Sequence, residues 1–241
     1  MSAKYLVLDI GNTNLDLVVF NENYKFLKSI KVSIKSLNLL YFKSIIKKMK
    51  VSDNTEIIIG SVSKRNYKKV SYFLSKLSNK ITVLNHNNFP KSLVVSDIDF
   101  NIVGLDILGA TLVLKFVNID TNFILMAGTA NVILKLENKS LTGALILPGY
   151  NQNYAQLKQK TKLSFNLPNN PLIHCFGQNT QEAIDCGFAY FNSNIIEKLS
   201  QNYNLKNKII ITGGNATKYI NQKADKISNL VAFGYLKAYL G

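Results

Sequence analysis

The amino-acid sequence predicts two α/β lobes with a cleft between them, and three observations carry that prediction. The first is a repeated unit: Tyr5 to Phe20 reads YLVLDIGNTNLDLVVF and Phe123 to Leu136 reads FILMAGTANVILKL. Each is an apolar strand, a short Gly/Thr/Asn turn and a second apolar strand. Aligned on the turn, Gly11 matches Gly128, so duplication of a hairpin unit is the economical explanation. The second is an alternation of strand-like runs with segments of helical apolar spacing, the pattern of α/β sheets. The third is composition: 47% hydrophobic and 18% charged residues over 241 positions suit ordered structure and leave room for two cores of similar size.

Taken in order, the first lobe (residues 1–110) holds the first hairpin and strand-like runs at Lys25 to Ser33, Glu56 to Ile59 and Ile81 to Leu84, with a helix over Leu37 to Met49. The second lobe (residues 111–241) holds the second hairpin, strand-like runs at Gly143 to Leu147 and Lys208 to Ile211, and a helix over Thr180 to Leu199. The boundary falls in Asp97 to Asp120, where GLDILGATLVLKFV (Gly104 to Val117) reads as a helix burying most of its surface between the lobes. Asp106 lies in its first turn, where the helix dipole favours an acid; an acid held there can also face a cleft.

The net charge of +15 attracts anions generally. The lysines are scattered, no arginine-rich arm exists, and Tyr67 and Tyr72 read as packing residues above a solvated basic face, so a nucleic-acid role is not expected. Neither a secretory h-region nor a membrane-length apolar run occurs, which predicts a soluble, cytoplasmic protein. Cys175 and Cys186 lack metal-ligand spacing. His86 and His174 sit beside neither a nucleophile nor a glycine loop and read as packing or surface residues.

Chemistry concentrates in three glycine turns. Asp9-Ile10-Gly11-Asn12-Thr13-Asn14 joins two apolar strands; Gly11 lets backbone approach a phosphate, Asn12, Thr13 and Asn14 offer donors, and Asp9 at the strand end can hold Mg²⁺. A plain type I′ hairpin turn is the competing reading. Gly128-Thr129-Ala130-Asn131 repeats the design. Thr212-Gly213-Gly214-Asn215-Ala216 follows a strand and is expected to open a helix whose N-terminus meets nucleotide.

These motifs resemble the type III pantothenate kinase family along nearly the whole chain. D-x-G-N-T is matched by Asp9, Gly11, Asn12 and Thr13, and G-S-V by Gly60, Ser61 and Val62. G-x-D-R is matched by Gly104 and Asp106 with Ile107 at the arginine, and D-x-G-T-A by Gly128, Thr129 and Ala130 with Met126 at the aspartate. A G-x-I-x-P-G motif is matched, with one extra residue, by Gly143 to Gly149. Thr180 and Gly187 fit a later N-T-x-x-A-I-x-x-G segment, and Thr212-Gly213-Gly214 a T-G-G turn.

The resemblance implies two ribonuclease H-like lobes of the actin, hexokinase and Hsp70 ATPase superfold, and ATP-dependent phosphorylation of pantothenate in coenzyme A biosynthesis. It implies Asp106 as general base, Asp9 as organiser of Mg²⁺, and Gly11 to Asn14, Gly128, Thr129, Gly213 and Gly214 as ATP contacts. Gly104, Leu105, position 107 and Thr180 would form the substrate site, Thr180 across a homodimer interface. An activating monovalent cation, K⁺ or NH4⁺, would sit at position 126. Ile107, without charge or donor, breaks the expected contact to the pantothenate carboxylate. Met126 offers a thioether unsuited to K⁺, so potassium dependence is expected to be absent or moved. A substrate-site tyrosine is also missing, with Asp97 at its expected distance. Three readings are open: a kinase in which a lysine replaces the lost groups, a kinase for another small hydroxylated substrate, and a catalytically silent relative that binds nucleotide.

Overall fold

The computed structural model describes residues 2–167, 176–203, 209–219 and 224–241, the side chain of Ser193 excepted. The chain forms two compact units, Met1–Asn118 with Asn229–Gly241, and Ile119–Ser228. The expected boundary between residues 110 and 111 falls inside a helix of the first unit, and the C-terminal residues return to that unit.

The first unit is built on a sheet of β1 (Tyr5–Ile10), β2 (Asn14–Phe20), β3 (Phe26–Ser33), β4 (Glu56–Ser61) and β5 (Ile81–Val83), in the order β3-β2-β1-β4-β5. β1 pairs antiparallel with β2 and parallel with β4. Helices α1 (Leu39–Lys48) and α2 (Lys64–Leu74) make the crossovers that parallel pairing requires. Asn38 caps α1 by accepting from the Tyr41 N–H at 2.8 Å. One sheet face, with Leu6, Leu8, Leu17, Ile57 and Ile59, packs on Phe42, Ile45, Val70 and Phe73 of those helices. Tyr67 joins this core from its edge, whereas Tyr72 is exposed.

The alternate residues of β1 and β4, Val7 and Ile58, are also fully buried. Their face is served by α3 (Leu105–Val113) and α6 (Leu230–Leu240), which pack on each other and on β4. Within its own unit α3 is covered by α6 and β4. Both helices are apolar on nearly every side, as a helix buried all round must be. Their approach depends on glycine: a Cβ on Gly234 would overlap the Gly109 carbonyl oxygen.

The second unit carries β6 (Phe123–Ala127), β7 (Ala130–Glu137), β8 (Ser140–Pro148), β9 (Ile209–Thr212) and β10 (Ala224–Lys226), with α4 (Tyr150–Thr161) and α5 (Thr180–Asn202). Its sheet order, β8-β7-β6-β9-β10, with β6 antiparallel to β7 and parallel to β9, reproduces the first sheet strand for strand. The duplication inferred from two hairpins thus extends to whole sheets. Its core joins Phe123, Leu125, Ile209 and Ile211 to Ile196 and Leu199 of α5. The helix expected after Thr212 is a single 3-10 turn, Ala216–Lys218, too short for a useful dipole. Cys175 and His174 lie outside the described residues; Cys186 is buried on α5.

Candidate active site

The loop between β1 and β2 is held by its own carbonyl groups. Asn66 of α2 donates its side-chain amide to the carbonyl oxygens of Gly11 at 2.8 Å and Asn12 at 2.9 Å, and the Ile34 N–H donates to the Thr13 oxygen at 2.9 Å. The Gly11 N–H donates to the Asn14 oxygen at 3.0 Å. Neither Asn12 nor Thr13 has the positive φ that a type I′ turn demands, so that competing reading falls. The positive-φ pair occurs instead at Asn138 (φ 50°) and Lys139 (φ 60°), between β7 and β8. With three successive carbonyl oxygens engaged inside the unit, the loop's acceptors are spoken for, which suits an exposed turn that is to meet an acceptor-rich ligand.

Beneath the loop runs a charged row. Register sets Asp9 opposite Asp16 on β2, Asp16 opposite Lys31 on β3, and Asp9 opposite Gly60 on β4. Lys31 pairs with Asp16 at 3.0 Å. Burial, then the negative charges of Asp106 and Asp16, push the Asp9 carboxyl up to about 8 against the pull of Lys31 and the Tyr235 hydroxyl. Burial also raises Asp16, which Lys31 opposes.

Asp106, in the first turn of α3, accepts from the Ile107 N–H at 2.9 Å, and burial outweighs its backbone hydrogen bonds to raise its carboxyl. Gly104, immediately before α3, leaves the carboxylate its room: a Cβ there would lie 2.5 Å from Asp106 Oδ1. Asp9, Asp16 and Asp106 each keep part of their surface open. Asp9 and Asp106, assigned separately from the sequence, therefore belong to one electrostatic cluster.

Sequence reasoning missed Tyr235 of α6. Its fully buried hydroxyl donates to Asp9 Oδ1 at 3.5 Å, and its ring fills the space above Gly60 that a Cβ would otherwise take. Burial and the two aspartates hold Tyr235 protonated. Gly60, noted only as a motif letter, and Gly234 were the signals available for it.

In the second unit, Gly149 donates its N–H to the Thr129 oxygen at 3.0 Å, and a Cβ on it would strike the Gly128 and Thr129 oxygens. Asn215 donates its side-chain amide to the Gly128 oxygen at 3.1 Å, and Gly213 adopts φ +98° against Ala127. Gly128, Thr129 and the turn of Gly213 and Gly214 are thereby brought together. Met126 occupies the position equivalent to Asp9, opposite Val132 and Thr212. Thr180 is exposed at the start of α5, whose cap Asn179 accepts from the Glu182 N–H.

An open cavity of about 520 Å³ lies within the first unit, lined by Val62, Lys64, Tyr67, His86, Gly104 and Leu105 among others. His86 Nε2 donates to the Val103 carbonyl at 2.9 Å and its ring meets Phe100 edge-on, the packing role expected of it. Ile107 does not line this cavity.

A family model described as type III pantothenate kinase matches residues 5–202. The chain belongs to that family. Full-length relatives named type III pantothenate kinase include one from Mycoplasma mobile, 30% identical with 97% of each chain covered, and one from Mycoplasmopsis synoviae, 29% identical with 98% of this chain and 95% of the relative covered. Family membership makes the protein a phosphotransferase, of a kind that uses ATP with a divalent metal. Among solved structures, a Baf-family protein of Campylobacter jejuni superposes with a TM-score of 0.63 at 19% identity over 98% of this chain and 97% of its own. The activator of 2-hydroxyisocaproyl-CoA dehydratase from Clostridium difficile, bound to ADPNP, gives 0.58 at 13% identity over 98% and 92%. The fold is that of the actin and hexokinase superfold. Among the described residues no helix is long and apolar enough to cross a membrane.

Proposed function

We propose that the protein transfers the γ-phosphoryl group of ATP to the primary hydroxyl of pantothenate, forming 4′-phosphopantothenate, the first step of coenzyme A biosynthesis. The observation that carries this reading is the match of residues 5–202 to type III pantothenate kinases, with Asp9 on the strand that enters a clamped glycine loop and Asp106 in the first turn of α3. The pantothenate oxygen forms the new O–P bond, the β–γ bridging bond breaks to leave ADP, and the hydroxyl proton passes to Asp106. Burial moves Asp106 toward the range in which a carboxylate works as a base.

Gly11, Asn12, Thr13 and Asn14 orient the phosphates, and by kinship Gly128, Thr129, Gly213 and Gly214 serve the same nucleotide. The donor set fits Mg²⁺: hard carboxylate oxygens, with no group of three or more acidic or His/Cys side chains forming a closed cage among the described residues. Mg²⁺ takes one or two carboxylates and completes its shell with water and phosphate, and Asp9 is the residue to hold it. When bound, it supplies neutralisation of charge on the transferring phosphoryl group. Met126 does not fit a monovalent cation, so turnover is expected to be indifferent to K⁺ or NH4⁺. A homodimer using Thr180, and a cytoplasmic setting, follow from kinship.

The test is ADP release by purified protein with Mg·ATP and pantothenate, with and without K⁺. Turnover that falls by about 10²- to 10⁴-fold in Asp106→Asn supports the reading. ATP binding without turnover on pantothenate sinks it and favours a re-specialised or silent relative.

A further inference from the structure

We propose that Lys64 is the residue that recognises the carboxylate of the substrate, replacing the cation that position 107 lacks. This inference rests on the pantothenate reading and adds to it a residue that the sequence motifs do not assign.

The first observation is the composition of the cavity in the first unit. Its lining holds one lysine, Lys64, and no aspartate or glutamate, and the only other ionisable groups are Tyr67 and His86. The His86 Nε2–H is already committed to Val103. Among the described residues Lys64 makes no hydrogen bond, ion pair or ring contact, in contrast to Lys4, Lys31, Lys80 and Lys135, each of which pairs with a carboxylate. An open cavity with mostly apolar walls and a single uncommitted ammonium suits an amphiphilic anion.

The second observation is where the cavity lies. Gly104 forms part of its wall, and the place of that residue's missing Cβ is 2.5 Å from Asp106 Oδ1 and 3.7 Å from Val62 Cγ1, another wall atom. The Asp106 carboxylate thus lies next to one wall residue, Gly104, and Lys64 is another residue of the same wall. Pantothenate has this polarity, a hydroxyl to be phosphorylated at one end and a carboxylate at the other. Neither Asp106 nor Ile107 is itself in the lining, which leaves Lys64 as the one cationic side chain on this wall.

The start of α2 agrees. Lys64 and Arg65 open the helix, no acid occupies its first turn, and Ser63 makes no side-chain cap. Two cations at a positive helix end repel it, and a bound carboxylate relieves that repulsion.

The experiment compares wild type, Lys64→Met and Lys64→Arg against two probes: pantothenate, and its alcohol analogue in which the carboxylate is reduced to CH₂OH. Binding is read by calorimetry and turnover by ADP release. Loss of a charge-assisted contact predicts that Lys64→Met weakens pantothenate binding and raises its KM by about 10- to 100-fold, with kcat changed far less. The preference of wild type for acid over alcohol should collapse, and Lys64→Arg should restore most of it. Equal losses on acid and alcohol, a rise in KM for ATP instead, or no effect on pantothenate overturn the assignment while leaving the kinase reading intact. Lys64-dependent binding of pantothenate without turnover supports the assignment and overturns the kinase reading. Absence of saturable pantothenate binding by wild type overturns both.

Discussion

The two sheets share order, direction and hairpin, yet the strand rows beneath their glycine loops differ in kind. In the first unit the row reads Lys31, Asp16, Asp9, Gly60; in the second the corresponding row reads Ile146, Val132, Met126, Thr212. The loops differ too, since the first leaves four residues between Ile10 and Leu15 and the second three between Ala127 and Asn131. What the halves keep is the clamp. Asn66 donates to the Gly11 oxygen and Asn215 to the Gly128 oxygen, each from just past the strand parallel to the hairpin's first strand. The asparagine clamp is common to both halves, whereas the buried carboxylates are concentrated in one. Among the described residues only the first unit presses a buried helix onto its row, α6 with Tyr235, and that burial holds Asp9 near neutrality.

The comparison breaks most visibly at that helix. Gly234→Ala drives a Cβ into the Gly109 carbonyl oxygen, a backbone atom that has nowhere to go. It should cost about 3 kcal/mol or more. Urea unfolding will read this as a fall in midpoint, with loss of the Asp9 environment in the first unit.

Removing the clamps measures how far the halves are equivalent. Asn66 supplies two bonds to its loop and Asn215 one, so Asn66→Ala should cost about 1–3 kcal/mol and Asn215→Ala about half of that. Each should raise the KM for ATP, Asn66→Ala more. Equal effects would mean that the single bond of Asn215 holds its loop as firmly as the two of Asn66 hold theirs.

Titration sharpens the contrast between rows. Asp9 has a folded-state value near 8, above the ordinary 3.8, so the stability linked to it is full below pH 4 and is lost as pH rises through 8. Asp9→Asn should therefore raise the Tm of the ligand-free protein at pH 8 by on the order of 5 °C and leave it nearly unchanged at pH 4. Glu56 runs the other way. The Tyr239 hydroxyl, then Lys4, hold it to about 2, so its contribution is present above pH 4.5 and disappears as pH falls toward 2. With Asp9 holding Mg²⁺ as proposed, Mg·ATP binding at neutral pH should release a proton, measurable as a dependence of the calorimetric heat on buffer ionisation enthalpy.

The smallest expected effect lies in the apolar row. Met126→Asp gives the second half the carboxylate that the first has, and a modest Tm gain with K⁺ over Na⁺ is the expected outcome. Indifference to both ions would show that the rest of that row has also lost its affinity for a cation.

Much of this was legible in the chain. Continuous apolar runs interrupted by Gly, Thr and Asn are local signals, because strands covered on both faces need apolar side chains throughout and tight turns restrict residue choice. They located the strands of both hairpins, Asp9 at a strand end and Asp106 at a helix start. The helix expected after Thr212 was misread because T-G-G is a good turn in either context, and only packing decides whether a helix follows.

The sequence by itself determined the duplicated hairpins, the glycine turns and the family motifs, since each depends on residues close together in the chain. Tertiary structure alone decided the rest. That Tyr235, near the C-terminus, closes over Asp9, that Asn66 and Asn215 occupy matching places, and that Lys64 shares a cavity wall with Gly104 are long-range facts. No periodicity encodes them; they arise where sheet register and the crossing of α3 with α6 bring distant side chains to one point.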